Sequence, residues 1–442
     1  FTFSQKGNRE LPLITGQLPV LSKTWWSGKD ASGKQRNIQD TSFEVPLGSG
    51  AYMADDVKLG TSIRMKRVAD YWGKDVNVNI GRDNFNEQRY EYFRDSTVAL
   101  EAFKADVVDW RTENSAKNWA TAYDFPAVKS GLVRRATFKH ELPGGLQGYA
   151  MNTRRPVFAN AATRRALAEM FDFEWTNKNL FYGMYKRNVS FFGNSELASS
   201  GLPTAAELRI LEPLRGKIPD EVFTKEFSLP ETDGTGNVRD LARRALGLLK
   251  EAGWEVKDGK MTDKAGKRFA FEMLLNDASF ERIALPYKQN LERIGVDMNV
   301  RTVDTAQFKR REDEFDFDMM SDGFGQSLSP GNEQRDFWSS KAAETVGSRN
   351  TAGVKDPSID RLIEQLIAAP DRESLIAVTR ALDRVLLWNH FVLPAWHNNK
   401  AFVAYWNKFS RPEKSAKYAP VALDTWWVDP AKDRAPQQPE KK

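Results

Sequence analysis

The hydrophobic period of this chain switches between that of a strand and that of a helix along most of its length, and this alternation most constrains its fold. Ser62-Ile63-Arg64-Met65-Lys66-Arg67-Val68 alternates as a half-buried strand does. An N-cap pair at Asp95-Ser96 then opens a helix with Val98, Leu100 and Phe103 on one face. A strand is expected at Asp106–Trp110 and a helix over Asn118–Val128, with Pro126 near its end. Gly148–Asn152 reads as a short strand, and a helical pattern runs from Asn160 through Leu167 and Met170. The stretch from Tyr185 to Leu229 is looser and rich in Ser, Gly and Pro. Asp240–Ala252 places Leu241, Ala245, Leu248 and Leu249 on one helical face, with Gly253 as its C-cap. Strand, helix and strand then follow at Phe269–Leu275, Phe280–Ile294 and Val296–Val303. Asp356-Pro357 is an N-cap with proline at the first helical position, before the stripe Ile359, Leu362, Ile363, Leu366, Ile367. The next helix, from Asp371, carries Leu375, Val378, Leu382 and Val385, and an apolar strand spans Phe391–Trp396. Strands alternating with helices imply an α/β architecture with mixed sheets. No internal repeat or low-complexity linker interrupts the pattern, and the charged run Gln437–Lys442 is expected to fray.

A length of 442 residues suffices for two or three domains with their own cores. No apolar run approaches the roughly 18 residues that a membrane span needs. Cysteine is absent, which removes disulfides, thiolate metal sites and cysteine nucleophiles and leaves the compartment open. The three histidines, His140, His390 and His397, lack metal-ligand spacing, so no metal or other cofactor is expected. The net charge of +5 arises from 65 basic and 60 acidic residues interspersed along the chain, a mixed solvated surface rather than the one-sided footprint of a nucleic-acid binder. Thirteen tryptophans and 27 phenylalanines suit deep cores and the walls of a ligand cleft. The opening Phe1-Thr2-Phe3-Ser4 reads as a strand already inside a domain, as expected if a signal peptide and more have been removed or if the sequence is a fragment.

Enzyme signatures are weak. Gly48-Ser49-Gly50 lacks the Lys-Ser/Thr of a phosphate loop, and Pro46–Tyr52 reads as a turn entering a strand. Gly325-Gln326-Ser327-Leu328-Ser329 fails the last position of a nucleophile elbow. Aromatics beside acids suit a glycoside hydrolase, for which Glu101, Asp109, Glu113, Asp322 and Glu333 are the candidates. With 60 carboxylates in the chain, however, such pairings arise by chance. The most unusual segment is Ser321–Trp338, SDGFGQSLSPGNEQRDFW, which follows an apolar strand at Phe315–Met320 and carries more polar side chains than a turn needs. A loop at a strand's end is where α/β domains place binding groups. Trp396-His397-Asn398-Asn399 joins an aromatic to three polar groups after a strand, as a cleft edge does, and Trp110 and Trp406 are further wall candidates.

These segments also match a known family. PLGSGAY, ADYWGK, GYAMNTRRPVFANAATRRALA and LLKEAGW occur in the order found in extracellular solute-binding proteins of family 5, the dipeptide, oligopeptide and nickel binders. The finer detail resembles the Yej-type oligopeptide and microcin C binders, through YEYFRDSTVALEAFKAD, TENSAKNWATAYDFPAV, NSELASSGLP, QSLSPGNEQRDFW, LDRVLLWNH and AYWNKF. The resemblance covers essentially the whole chain. It implies a two-lobed periplasmic-binding-protein fold of type II-like topology, with the chain crossing twice between lobes. Residues 1–148 would then belong to lobe I, 149–152 to the first crossing, 153–391 to lobe II, 392–397 to the second crossing and 398–442 to lobe I again. Family members carry a further N-terminal portion, so part of the binding wall is expected to lie outside this sequence. The implied function is delivery of oligopeptides or peptide-like compounds from the periplasm to the permease subunits of an ABC importer. A monomer that performs no chemistry is expected, with lobe closure favoured by ligand. A glycan or opine-like solute is the alternative on the same fold, and a carbohydrate-active enzyme the rival from another class. Dipeptide and oligopeptide binders anchor the ligand's α-ammonium with an aspartate in an Asp-Pro-Asp-Asn-like loop. Here the loop is Ser329-Pro330-Gly331-Asn332, leaving Asp322 or Glu333 for that role or a ligand without a free amino terminus. The ligand-binding set implied is Asp322, Gln326, Ser329, Asn332, Glu333, Trp396, His397, Trp110, Asn152 and Trp406, with no catalytic residue and no nucleic-acid partner.

Overall fold

The apolar runs of the second half of the chain meet in one five-stranded sheet. Its strands are β1 (Leu146–Met151), β2 (Ala270–Leu275), β3 (Asp297–Thr302), β4 (Met319–Phe324) and β5 (Val392–Pro394), in the order β3-β2-β4-β1-β5. β2 runs parallel to β3 and β4, whereas β1 is antiparallel to β4 and β5. Register places Met273 beside Met319, Asp322 beside Gly148 and Leu393 beside Tyr149. Leu146, Tyr149, Ala150 and Met151 are all buried, as expected for a central strand covered on both faces. This computed structural model describes residues 1–3, 7–40, 42, 44–414 and 416–432, so the run Gln437–Lys442 lies outside the described residues.

Helices cover the sheet because their stripes match its apolar faces. Asn160, Asp356 and Asp371 cap α1 (Ala161–Glu169), α8 (Pro357–Ile367) and α9 (Arg372–Trp388), each side chain accepting a backbone N–H of the first turn. Between them lie α2 (Phe173–Leu180), α3 (Ala205–Leu211), α4 (Arg239–Glu251), α5 (Glu281–Glu292), α6 (Thr305–Asp313) and α7 (Glu333–Trp338). The stripes of α8 and α9 join Leu274, Met320 and Phe324 of the sheet in one continuous core.

The chain divides into two compact units, each assembled from segments distant in sequence. The first holds residues 1–15 and 141–399, and the second holds 16–140 and the chain from 400 onward. The second unit contains two antiparallel three-stranded sheets. One is Tyr52–Lys58, Ser62–Arg67 and Glu87–Glu91; the other sets Lys400–Trp406 between Trp110–Glu113 and Val133–Lys139. The expected crossings at 149–152 and 392–397 therefore lie inside the first unit. The chain changes unit between 140 and 141 and between 399 and 400, and residues 1–15 group with the first unit rather than with 16–140.

Local departures from expectation have identifiable causes. Phe1–Phe3 form no strand. The helix Ser96–Lys104 buries Leu100 and Phe103 but leaves Val98 exposed. The next strand begins at Trp110 rather than Asp106, because Asp106 takes a left-handed conformation at φ +59° beyond the helix end. The helix expected over 118–128 is two short ones, Ala116–Thr121 and Pro126–Lys129, with Pro126 at the first position of the second. Phe315, also left-handed at φ +54°, ends the turn after α6, so the strand expected at 315–320 forms at Met319–Phe324. The apolar run 391–396 is split, since Pro394 has no N–H with which to continue a ladder. Trp396–His397 pairs instead with Lys186–Arg187.

Candidate functional site

Because β1 is antiparallel to β4, one edge of the sheet gathers the carboxyl ends of β2 and β4, the amino end of β1 and the loops beyond them. The carboxyl edge is where open α/β sheets bind ligands. A cleft of about 560 Å³ opens there, wholly within the first unit. Gln147, Asn276, Glu312, Ser321 and Asp322 supply its polar lining, and Phe280, Phe308 and Phe324 its apolar lining. Gly145, at φ +56°, lets the loop before β1 close on the end of β4, for a Cβ there would lie 2.6 Å from the Phe324 carbonyl oxygen.

Asp322 sits in β4 rather than in the loop expected from sequence. Its Oδ2 accepts the Thr351 hydroxyl at 2.6 Å and its Oδ1 the Gly323 N–H at 2.6 Å. Burial raises the Asp322 carboxyl above its ordinary range, and these hydrogen bonds work against that rise. Arg349 donates to the Gly323 carbonyl at 2.8 Å and holds a positive charge near the aspartate.

The segment 321–338 is a strand end, a loop and a six-residue helix, α7. Gln326 accepts from Gln334 Nε2 at 2.7 Å, and Ser329 turns its N–H onto Ser327 Oγ at 3.1 Å. Asn332 is bound by Asn8 and Glu10, and both Glu333 carboxylate oxygens accept the Gly331 N–H, at 3.0 and 3.1 Å. Of the residues singled out from sequence, Asp322 lines the cleft, while Gln326, Ser329, Asn332 and Glu333 belong to the loop and helix start that follow it.

The other candidates do not line this cleft. Asn152 lies at the opposite end of β1. It is 1% exposed, and its amide donates to the Phe315 and Phe317 carbonyls at 3.1 and 2.9 Å. Trp396 is buried with its ring 4.6 Å from Phe181. His397 is half-buried on the short ladder with Lys186, and burial followed by that charge lowers its imidazole pKa. In the second unit, Trp110 packs on the cluster of Phe138, Val403, Phe409 and Trp426, and Trp406 Nε1 donates to the Phe103 carbonyl at 3.0 Å. Carboxylates considered for catalysis are engaged likewise. Glu113 accepts from Tyr123, Arg111 and Ser115, Asp109 pairs with Lys408, and Glu101 with Lys104.

Sequence reasoning missed Gln147, Asn276, Phe280 and Glu312. Asn276 carried a usable signal, as the first polar residue after an apolar strand, whereas Glu312 sits in a charged helix and carried none. Among the described residues no helix is long and apolar enough to cross a membrane.

Comparison with known proteins bears on the family and the fold. The profile described as "Bacterial extracellular solute-binding proteins, family 5 Middle" matches residues 1–345. The probable peptide-binding protein YejA of Agrobacterium fabrum is 46% identical over 434 residues, covering 97% of this chain and 70% of that protein. The oligopeptide-binding protein AppA of Bacillus subtilis, solved with a nonapeptide, is similar in fold, with a TM-score of 0.65 at 18% identity over 86% of this chain and 67% of that one. NikZ of Campylobacter jejuni, solved with Ni(L-His), gives 0.66 at 16% identity over 89% and 71%. These likenesses give the fold, a mixed α/β periplasmic-binding-protein architecture. On the profile and the identity together, the chain belongs to the bacterial extracellular solute-binding proteins of family 5.

Proposed function

We propose that this chain captures oligopeptides or peptide-like compounds in the periplasm, as a monomer, and presents them to the permease subunits of an ABC importer. The observation that carries the reading is the cleft at the carboxyl edge of the five-stranded sheet. Its side-chain amides, hydroxyl and two carboxylates stand beside three phenylalanines. A peptide presents the same mixture, a polar backbone with apolar side chains, and amide and hydroxyl groups at strand ends meet it without demanding one sequence. The peptide-binding relative and the nonapeptide complex of AppA point to the same ligand class. Capture runs through a ligand-linked equilibrium between open and closed forms, in which ligand favours the form it contacts more extensively. The ligand leaves unchanged, and the periplasm is the compartment of action.

Calorimetric titration of the full chain with defined tripeptides tests this. The wild type is expected to bind, and Asp322→Asn and Asn276→Ala each to weaken binding about tenfold, the effect of losing one hydrogen bond of about 1.4 kcal/mol. A chain that ignores peptides but binds a nickel–histidine complex or an oligosaccharide contradicts the peptide reading. Glycan turnover lost on changing Asp322 or Glu333 contradicts the binding reading altogether.

A further inference from the structure

The loop after β4 is held by a segment more than three hundred residues away in sequence. Asn332 N–H donates to Glu10 Oε2 at 2.6 Å, and the Asn332 side-chain amide donates to the same oxygen at 3.0 Å. Asn8 Nδ2 donates to Asn332 Oδ1 at 3.1 Å, and Arg9 Nη2 to the Pro330 carbonyl at 2.5 Å. Glu10 is 7% exposed, although the helix that follows it, Leu11–Gly16, buries no residue. The burial is therefore specific to this contact and does not come from a packed N-terminal helix.

The loop's sequence is fitted to the carboxylate. A Cβ at Gly331 would lie 1.6 Å from Glu10 Oε2, so any other residue at 331 displaces Glu10 or the loop. Gly331 is not left-handed, so here glycine answers to the close approach and not to backbone conformation. The N–H of Gly331 is taken by Glu333 and that of Asn332 by Glu10, so two carboxylates clamp successive backbone donors. Charged acceptors make the stronger hydrogen bonds, and a loop without regular structure has few other restraints. Arg335 closes the arrangement, donating to Asn332 Oδ1 at 2.9 Å while pairing with Glu364.

We infer that Glu10 is a positioning residue for ligand capture: it fixes the 329–332 loop, which begins four residues beyond the Gly325 end of the cleft lining, in its binding conformation. The inference rests on the proposed function, because it assigns that loop to the ligand site. Within the chain's own Ser-Pro-Gly-Asn loop no residue is acidic, and the neighbouring Glu333 braces only the Gly331 N–H. Glu10 supplies one from outside.

Three variants of the full chain test it: Glu10→Ala, Glu10→Gln and Gly331→Ala. Two quantities are read, amide hydrogen exchange over 326–338 and affinity for a defined tripeptide. Glu10→Ala and Gly331→Ala are expected to speed exchange of the loop amides at least tenfold and to weaken the tripeptide about tenfold, with the melting temperature of the whole chain nearly unchanged. Glu10→Gln keeps an oxygen for the Asn332 N–H and is expected to stay within a few-fold of wild type in both. Wild-type exchange in Glu10→Ala overturns the inference. So does faster exchange with unaltered tripeptide affinity, which leaves Glu10 a purely structural contact. A wild-type chain that binds no tripeptide contradicts the peptide reading instead, and the exchange comparison then still decides whether Glu10 holds the loop.

Discussion

Asp383 has no exposed surface and accepts four hydrogen bonds, from Ser190 Oγ, Phe191 N, Ser199 N and Ser199 Oγ. It ties the C-terminal half of α9 to the segment 190–199 that precedes α3. Asp383→Ala leaves those donors buried and unpaired, and a loss of about 3 kcal/mol is expected in denaturant unfolding. His390 is the converse case. Burial, then the charges of Arg165 and Arg164, hold its imidazole down to about 3, and neither ring nitrogen has a hydrogen-bond partner among the described residues. A depressed folded pKa means stability that is full above the unfolded value near 6.5 and is lost as pH falls through about 3. Across that window His390 is expected to withdraw on the order of 5 kcal/mol. His390→Asn suits the left-handed backbone at φ +51° and should flatten the acid-unfolding curve between those limits. An unchanged curve contradicts the assignment. Neither residue stood out in the sequence, where Asp383 is one polar position in a helix and His390 one of three scattered histidines. Burial is set by which helices meet, and no local pattern encodes that.

Where the sequence carried a full stripe and a cap, the element formed as expected, as α8 and α9 show with Asp356 and Asp371 at their starts. Where a single residue in a left-handed conformation decided the register, as at Asp106 and Phe315, the strand began four residues later than its apolar run suggested. That slip moved Asp322 from a loop into β4, the difference that matters most for the site. Packing between elements also fixes positions that periodicity cannot flag. Gly148, in β1, would place a Cβ 2.3 Å from the Leu393 carbonyl oxygen of β5. Gly148→Ala is expected to part these strands and lower stability by about 2–3 kcal/mol, read as a fall in the urea midpoint. Arg384 of α9 and Glu207 of α3 form a pair, 2.7 Å apart, with side chains 2% and 1% exposed. Arg384→Met alone is expected to destabilise by about 3–5 kcal/mol, because it strands a buried carboxylate. The double change with Glu207→Gln should recover part of that loss.

At the scale of the molecule, the α/β class and the family were both legible, the first from alternating periods and the second from long motifs spread along the chain. The unit boundaries were legible only approximately. The resemblance implied that β1 and β5 are passages between lobes, yet they pair as neighbours in one sheet, and the chain enters that unit about five residues before β1 and leaves it about five residues after β5. The cleft drew on Gln147, Asn276, Phe280 and Glu312, which come from three separate segments and share no motif. The claim that joins these scales is that the carboxyl edge of the five-stranded sheet receives a peptide-like ligand. It is tested most directly by mass spectrometry of the small molecules released on denaturing the protein purified from its own periplasm. The account predicts peptides or peptide-bearing compounds, present in the wild type and depleted in Asp322→Asn. A sugar or a metal chelate recovered without any peptide contradicts it.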